Sequence, residues 1–382
     1  MDVLLTDQNR HFRDLAREVA ETTVRPIAAE LDRTRAYPYK VLEELQKKGL
    51  MGLWIPKEYG GAGAGYLDLC LVVEELSKAC GGVGAAFAVN ALGTFPILIT
   101  GTPEQKQKYL PKMATGEYMA AFGLSEITAG SDAGSLKATA VRDGDQWLIT
   151  GDKKWTTGAS VASVFTVFAN TNPAMGPRGI TAFIVEKGAP GFEVGKREEL
   201  MGIRCLPVHE MHFRNTPVPA SNMLGVEGKG FPLALSTLDR ARPGVAAQAV
   251  GVAQGALELA VKYANSREQF GKPIAVNQAL QFMLAEMATK VDAARLLVHH
   301  VARLLDAGIE RVSKEAAEAK LFASDTAMSV TTDAVQIFGG YGYCQDYPIE
   351  KYMRDAKITQ IYEGTNQVQR MVIGTAVLKQ FA

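Results

Sequence analysis

The period of the apolar residues changes twice along this chain, near Met119 and near Gly230, and that double change limits the fold more than any other feature. Up to about residue 115 the spacing is helical. Thr6 and Asp7 can cap a helix whose apolar side includes Phe12, Leu15 and Val19. Pro38 suits the first turn of the next helix, with Leu42 and Leu45 inside and Gly49 at its end. Further helices are predicted near 67–80 and 83–99, and Thr102 with Gln105 forms a capping-box signature for another. The glycine-rich stretch 58–65 has neither GxGxxG spacing nor a P-loop lysine, and no strand precedes it, so it reads as a flexible connector.

From Met119 the signals are those of strands. Residues 137–141 and 146–150 flank Arg142-Asp143-Gly144-Asp145, a hairpin pattern, and β-rich runs follow at 164–169, 180–185 and 210–213. His209, Glu210 and His212 lack HExxH spacing, and the two histidines would face opposite sides of a strand, which argues against a metal site. Beyond Gly230 the helical period returns. Val245, Gln248, Val252, Gly255, Leu259 and Tyr263 share one face, and long helical segments are predicted near 277–306, 313–338 and 347–380. The expected fold class is α+β, mostly α: an N-terminal helical domain (1–118), a central β-domain (119–228) and a C-terminal helical bundle (229–382).

Composition narrows the function. The 382 residues carry 41 basic and 41 acidic side chains, so neither nucleic acid nor an anionic membrane surface gains much attraction. Cys70, Cys80, Cys205 and Cys344 form no CxxC pair and read as inert thiols of a reducing compartment. The opening residues show no signal-peptide core or transit composition, and no apolar run is expected to reach the roughly 18 residues of a membrane span. A cytoplasmic protein is expected.

Several stretches carry chemistry. Leu124-Ser125-Glu126 leads into Gly130-Ser131-Asp132, and Lys154-Trp155-Thr156-Thr157 sets an indole beside two hydroxyls. Alone, Trp155 reads equally well as a core aromatic and Ser131 as a turn residue. Leu238-Asp239-Arg240-Ala241-Arg242 and Arg267-Glu268-Gln269-Phe270-Gly271-Lys272-Pro273 place charge beside apolar faces, and Gln336-Ile337-Phe338-Gly339-Gly340 ends a helix in glycines. Near the C-terminus, Gln360-Ile361-Tyr362-Glu363-Gly364-Thr365-Asn366-Gln367 sets one carboxylate between two helical segments. By itself this is a solvated turn, or a base with a glycine giving close backbone access.

Taken in order, FGLSE with AGSD, KWTT, LDxxRP, SREQFGKP, AVQIFGGYGY, YPIEKYMRDAKI and QIYEGTNQ resemble the acyl-CoA dehydrogenase family over essentially the whole chain, most closely its butyryl-CoA and medium-chain members. The resemblance implies a C-terminal four-helix bundle, a homotetramer, non-covalent FAD, and a place in fatty-acid β-oxidation. It implies that Leu124, Ser125, Trp155, Thr156 and Thr157 line the flavin. Arg267, Phe270, Gln278, Gln336, Gly339 and Gly340 would hold the FAD phosphates and adenosine across a subunit boundary, with Thr365 and Gln367 completing the site. Ser131, Asp239 and Arg242 would meet CoA, and Tyr362 and Gly364 would flank the thioester.

In some members the base lies just before the arginine of LDxxR. Here that residue is Ala241, which accepts no proton, so the resemblance gives the role to Glu363. The implied reaction is α,β-dehydrogenation of an acyl-CoA to the 2-enoyl-CoA, with flavin N5 as hydride acceptor and electron-transferring flavoprotein as the next carrier. An oxidase using O2 and a non-catalytic flavin-fold binding protein are the alternatives. Residues 86–93 resemble the helix that closes the acyl pocket in relatives. They offer small apolar groups and Asn90 but no charge, which disfavours a dicarboxylic substrate such as glutaryl-CoA and leaves short or medium straight chains, branched chains or an alicyclic ring. One departure from the family is Ile127-Thr128, where proline commonly follows the glutamate of the flavin motif; it alters the stiffness of that loop.

Overall fold

The computed structural model describes residues 2–382, and the chain is laid out as helices, sheet, helices. The N-terminal helices are α1 (Asp7–Val19), α2 (Ala28–Thr34), α3 (Tyr39–Lys47), α4 (Tyr66–Ala79), α5 (Gly81–Thr100) and α6 (Pro103–Ala114). Both predicted N-caps are present. Thr6 accepts from the Asn9 amide, and Thr102 and Gln105 bond reciprocally. Gln105 also donates to the carbonyls of Ser221 and Met223 at 2.7 and 2.8 Å, which ties α6 to the sheet domain.

The 58–65 stretch is not a flexible connector. The amides of Ala62, Gly63 and Ala64 donate to the carbonyls of Gly52, Ile55 and Leu53 at 3.0, 2.9 and 2.9 Å. A Cβ on Gly61 would lie 2.0 Å from the Ile55 oxygen, so the glycines there serve close packing. The apolar-run expectation is also corrected. α5 and a later helix, Gly230–Ser266, are long and apolar enough to cross a membrane, with mean hydropathies of 1.7 and 1.3. Their Gly- and Ala-rich sequences conceal this from a search for bulky residues, and 78% and 72% of those windows lie inside the protein.

The sheet comprises β1 (Ala120–Gly123), β2 (Thr139–Asp143), β3 (Gln146–Thr157), β4 (Val164–Asn170), β5 (Ile180–Glu186), β6 (Phe192–Arg197), β7 (Val208–Pro219) and β8 (Met223–Leu224). Its order is β6-β7-β3-β2-β4-β5-β8, with β1 parallel to β4. The predicted hairpin is β2–β3, antiparallel with Val141 opposite Leu148. β4 is buried along its whole length, because its alternating side chains enter two apolar clusters, Val164 and Phe168 in the main core and Phe165, Val167 and Ala169 in that of the sheet domain. Asn90 on α5 accepts from the Ala120 amide at 3.2 Å and donates to Ala86, so its side chain is spent on the α5–β1 contact.

The C-terminal helices are α7 (Gly230–Ser266), α8 (Gln278–Asp306), α9 (Ser313–Phe338), α10 (Ile349–Thr359) and α11 (Asn366–Gln380). α7 is the spine, packing against α4, α5, α8, α9 and α10. Its predicted inner face holds: Val245, Gln248, Val252 and Gly255 are buried, and a Cβ on Gly255 would meet the Lys78 carbonyl at 2.4 Å. The helical region 347–380 is two helices, on either side of the carboxylate as the sequence set them. The break between α10 and α11 is the Glu363 turn.

Candidate active site

Two consecutive residues of that turn are left-handed, Glu363 with φ 52° and Gly364 with φ 91°. A side chain at Gly364 would be strained and would also meet Gln369 Nε2 at 2.6 Å. Glutamate in this conformation is unfavourable by itself, so the surroundings must impose it. They do so through the carbonyls. Arg242 Nε and Gln369 Nε2 donate to Glu363 O at 3.3 and 3.2 Å. Gln369 Nε2 and Lys320 Nζ donate to Gly364 O, each at 2.8 Å. Thr365 caps α11 by accepting from the Val368 amide at 3.3 Å.

The opposite face of the turn is left open. Glu363 N–H and the carboxylate oxygen Oε2 find no hydrogen-bond partner among the described residues, and Oε2 is buried. Burial pushes the Glu363 carboxyl up to about 7, against the charges of Arg242 and Lys320, which pull it down. Arg242 is itself buried and pairs with Asp239 at 2.7 Å, one helical turn earlier on α7. Ser313 donates to the second Asp239 oxygen. Tyr362 donates to Gln248 Oε1, whose amide in turn bonds Gly81 O at 3.0 Å, so the turn is braced against the α4–α5 junction. Desolvation raises the Tyr362 phenol above its ordinary range.

The β-domain residues form a second group. Leu124 and Ser125 follow β1, and their carbonyls accept from Lys153 Nζ at 3.2 Å and the Lys154 amide at 2.9 Å. The β3–β7 register shifts between Lys153 and Thr156, and the irregularity turns Trp155 out with φ 57°. Trp155 is 51% exposed, which excludes the core-aromatic reading. Beside it Thr156 Oγ1 is buried with no partner among the described residues, while Thr157 is half-buried. A buried hydroxyl left unpaired costs about 1–3 kcal/mol. An aromatic ring presented to an open face beside such a hydroxyl fits a planar, polar-edged group such as a flavin. Ser131 lies exposed on the loop after β1.

The third group is elsewhere on the bundle. Arg267 lies over the Tyr341 ring at 5.4 Å, and a groove of about 500 Å³ is lined by Tyr263, Arg267, Ile274, Phe338, Gly339 and Gly340. Phe270 is fully exposed with φ 54°, and Gln278 and Gln336 are exposed nearby on α8 and α9. Gln336 and Lys320 are sixteen residues apart on α9, about 24 Å at 1.5 Å per residue. Among the described residues no hydrogen bond or ion pair joins this group to the Glu363 turn. A guanidinium beside a glycine-ended helix and an aromatic wall suits the diphosphate and adenine of a dinucleotide.

Sequence reasoning missed Lys320, Gln369 and Lys153. A signal for Lys320 was available: it falls on the stripe of Ala316, Ala323 and Ala327, where a lone lysine has no solvent to reach. Lys153 Nζ pairs with Glu126 Oε1 at 2.7 Å with both groups buried, and Glu126 also accepts from the amides of Lys137 and Ala138. That pair fixes the loop leading out of Leu124 and Ser125. Nothing in its local pattern distinguishes Lys153 from Lys154.

Comparison with known proteins covers the chain from end to end. Three family models match: Acyl-CoA dehydrogenase, N-terminal domain at residues 6–117, middle domain at 121–216 and C-terminal domain at 228–378. A short-chain-specific acyl-CoA dehydrogenase of Clostridium acetobutylicum is 47% identical over 380 residues, 99% of this chain and 100% of that protein. An acryloyl-CoA reductase (NADH) of Anaerotignum propionicum is 46% identical over 382 residues, 100% of this chain and 97% of the relative. Among solved structures, butyryl-CoA dehydrogenase of Megasphaera elsdenii superposes with a TM-score of 0.96 at 45% identity, covering 99% of this chain and 100% of that one. A chain in the study of the electron transferring flavoprotein of Acidaminococcus fermentans superposes with a TM-score of 0.97 at 50% identity, again covering 99% and 100%.

Proposed function

This chain belongs to the acyl-CoA dehydrogenase family, a family of FAD oxidoreductases, and from that premise we propose that Glu363 removes the α-proton of a short straight-chain acyl-CoA. The observation that carries the reading is the Glu363 carboxylate, held on a left-handed turn with Oε2 buried and unpaired. Bound FAD supplies the acceptor for the β-hydride. The protein's own share is to bind, orient and deprotonate. Glu363 N–H is free to donate to the thioester oxygen, which makes the α-proton more acidic. Ionised Glu363 then takes that proton, and the opposed pulls of burial and of Arg242 and Lys320 set its affinity near neutrality, where a general base works best.

Leu124, Ser125, Trp155, Thr156 and Thr157 would hold the flavin ring, and Ser131 would meet the CoA part. The group around Arg267, Phe270, Gln278, Gln336, Gly339 and Gly340 would serve the phosphates and adenosine of a neighbouring subunit's FAD in a homotetramer. The separation of about 24 Å along α9 supports that division. Asp239 and Arg242 would act from behind the turn, since the Arg242 guanidinium is committed to Asp239 and Glu363 O. Electron-transferring flavoprotein is the proposed electron acceptor. The short-chain and butyryl-CoA relatives support the substrate class, as does the uncharged α5, whose Asn90 is committed to β1.

A second reading runs the same chemistry in reverse. Burial raises the Glu363 carboxyl to about 7, so protonated Glu363 is also present near neutral pH to return a proton to Cα. The acryloyl-CoA reductase relative supports that direction. The test is anaerobic titration of the FAD protein with a panel of acyl-CoA and enoyl-CoA esters. Butyryl-CoA should bleach the flavin, and Glu363→Gln should bind FAD and acyl-CoA without bleaching. Retained bleaching in that variant removes Glu363 from the role. A preference for a dicarboxylic thioester overturns the substrate class, and hydrogen peroxide release on aerobic turnover points to an oxidase instead.

A further inference from the structure

Lys320 is completely buried on α9, among Ala316, Ala317, Ala323 and Ala327. Burying an ammonium costs several kcal/mol unless its hydrogens and charge are met. Lys153, equally buried, meets a carboxylate directly. Lys320 has no such partner among the described residues. Its Nζ donates to two neutral oxygens, Gly364 O in the Glu363 turn at 2.8 Å and Asn366 Oδ1 at the start of α11 at 2.9 Å. Asn366 is held in turn by Ser324 at 2.9 Å and Asp325 at 2.7 Å.

Among the described residues, the buried and half-buried charges around the turn are matched, apart from two; Lys357 of α10 is exposed and donates to Gln360 Oε1 at 2.8 Å. From α7, Arg242 is matched by Asp239 at 2.7 Å. From α9 and α11, Asp325 is matched by Arg370 at 2.9 Å. From α10, Asp355, which bears on Tyr362, is matched by Lys351 at 2.5 Å. Lys320 and Glu363 are left over. We infer that Lys320 is a positioning residue for the reaction, which locks the Glu363–Gly364 turn in its left-handed form and places the one unmatched positive charge behind the base. The inference rests on the reading of Glu363 as that base. Burial pulls the Lys320 ammonium down to about 7 against the attraction of Glu363, so ionisation of either group favours ionisation of the other.

A purely structural lysine would alter stability without touching the titration of Glu363. The test therefore reads that titration directly. Isotope-edited infrared spectroscopy of glutamate-labelled, FAD-loaded protein follows the carboxyl band across pH, and the band is assigned by its loss in Glu363→Gln. In Lys320→Met the midpoint should rise by about one pH unit or more, the usual effect of removing a neighbouring opposite charge. The acid limb of kcat should move with it, while KM for butyryl-CoA changes by less than about threefold. Lys320→Gln keeps a donor without the charge and should show the same rise. A parental midpoint in either folded variant overturns the inference. So does failure of both variants to fold, which would assign Lys320 to the fold alone. If Glu363→Gln is silent toward substrate while the Lys320 variants titrate like the parent, only this inference fails. If Glu363→Gln still bleaches, the proposed function itself fails.

Discussion

Glu126 and Glu363 are both glutamates set against cations in the interior, and they are treated in opposite ways. Glu126 accepts from Lys153 Nζ and from two backbone amides, so both of its oxygens are filled. Glu363 has Arg242 and Lys320 close by, yet their hydrogens go to the carbonyls of the turn, and carboxylate Oε2 is left without a partner. A carboxylate that holds a loop needs its lone pairs used, because unmet acceptors in the interior are costly. A carboxylate that must take a proton needs one lone pair free and its charge only partly stabilised. In the first case the protein spends its donors on the side chain; in the second it spends them on the backbone behind it.

The largest effect that would sharpen this contrast is on the reaction itself. Glu363→Gln should slow substrate-dependent flavin bleaching by roughly 100- to 10,000-fold, the usual share of a general base, with the melting temperature nearly unchanged. Stopped-flow absorbance and a thermal melt on one sample check both halves. Lys153→Met should do the reverse. Breaking a buried pair by removing one partner costs about 3–5 kcal/mol, so denaturant unfolding should show a large loss of stability and FAD should bind more weakly. Should Lys153→Met instead leave stability intact, the satisfied-pair half of the contrast fails.

Acidification gives a smaller, graded effect. Because burial raises the Glu363 carboxyl to about 7, the rate of α-proton removal should fall about tenfold per pH unit below that value. The contribution of Glu363 to stability has the opposite sign. A raised carboxyl favours the folded state below its ordinary value of 4.5, and that contribution is lost as pH rises through about 7. Activity and stability should therefore diverge across this window in the parent, and Glu363→Gln should flatten its own part of the stability change.

The smallest expected effect is at Ile127. It is exposed, keeps a negative φ, and donates no backbone hydrogen bond among the described residues, in a turn closed by mutual bonds of Glu126 and Ala129. Ile127→Pro should stabilise by about 0.4–1 kcal/mol through the unfolded chain. A loss of FAD affinity in that variant would show that the flavin loop needs the flexibility this chain retains.

Much was legible in the sequence because it was local or carried by a motif. Capping residues, the hairpin and the inner face of α7 follow from short-range spacing, and the ordered motifs named the family and the carboxylate. The sequence set Glu363 between two helical segments but could not show that it and Gly364 are left-handed, since Glu363 has no intrinsic preference for that conformation. The 58–65 stretch looked flexible because glycine reads alike whether it allows motion or close packing. Trp155 was balanced between core and ligand, and a register shift in β3 turns it out of the core.

The chain by itself determined the order of its helical and sheet regions, the family and which carboxylate we propose as the base, because period and motif are properties of neighbouring residues. Only the tertiary structure decided how that carboxylate is held and tuned. Arg242, Lys320 and Gln369 come from three different helices, 121, 43 and 6 positions from Glu363. Their effect depends on hydrogen-bond direction and on depth from water, and neither is written in sequence distance.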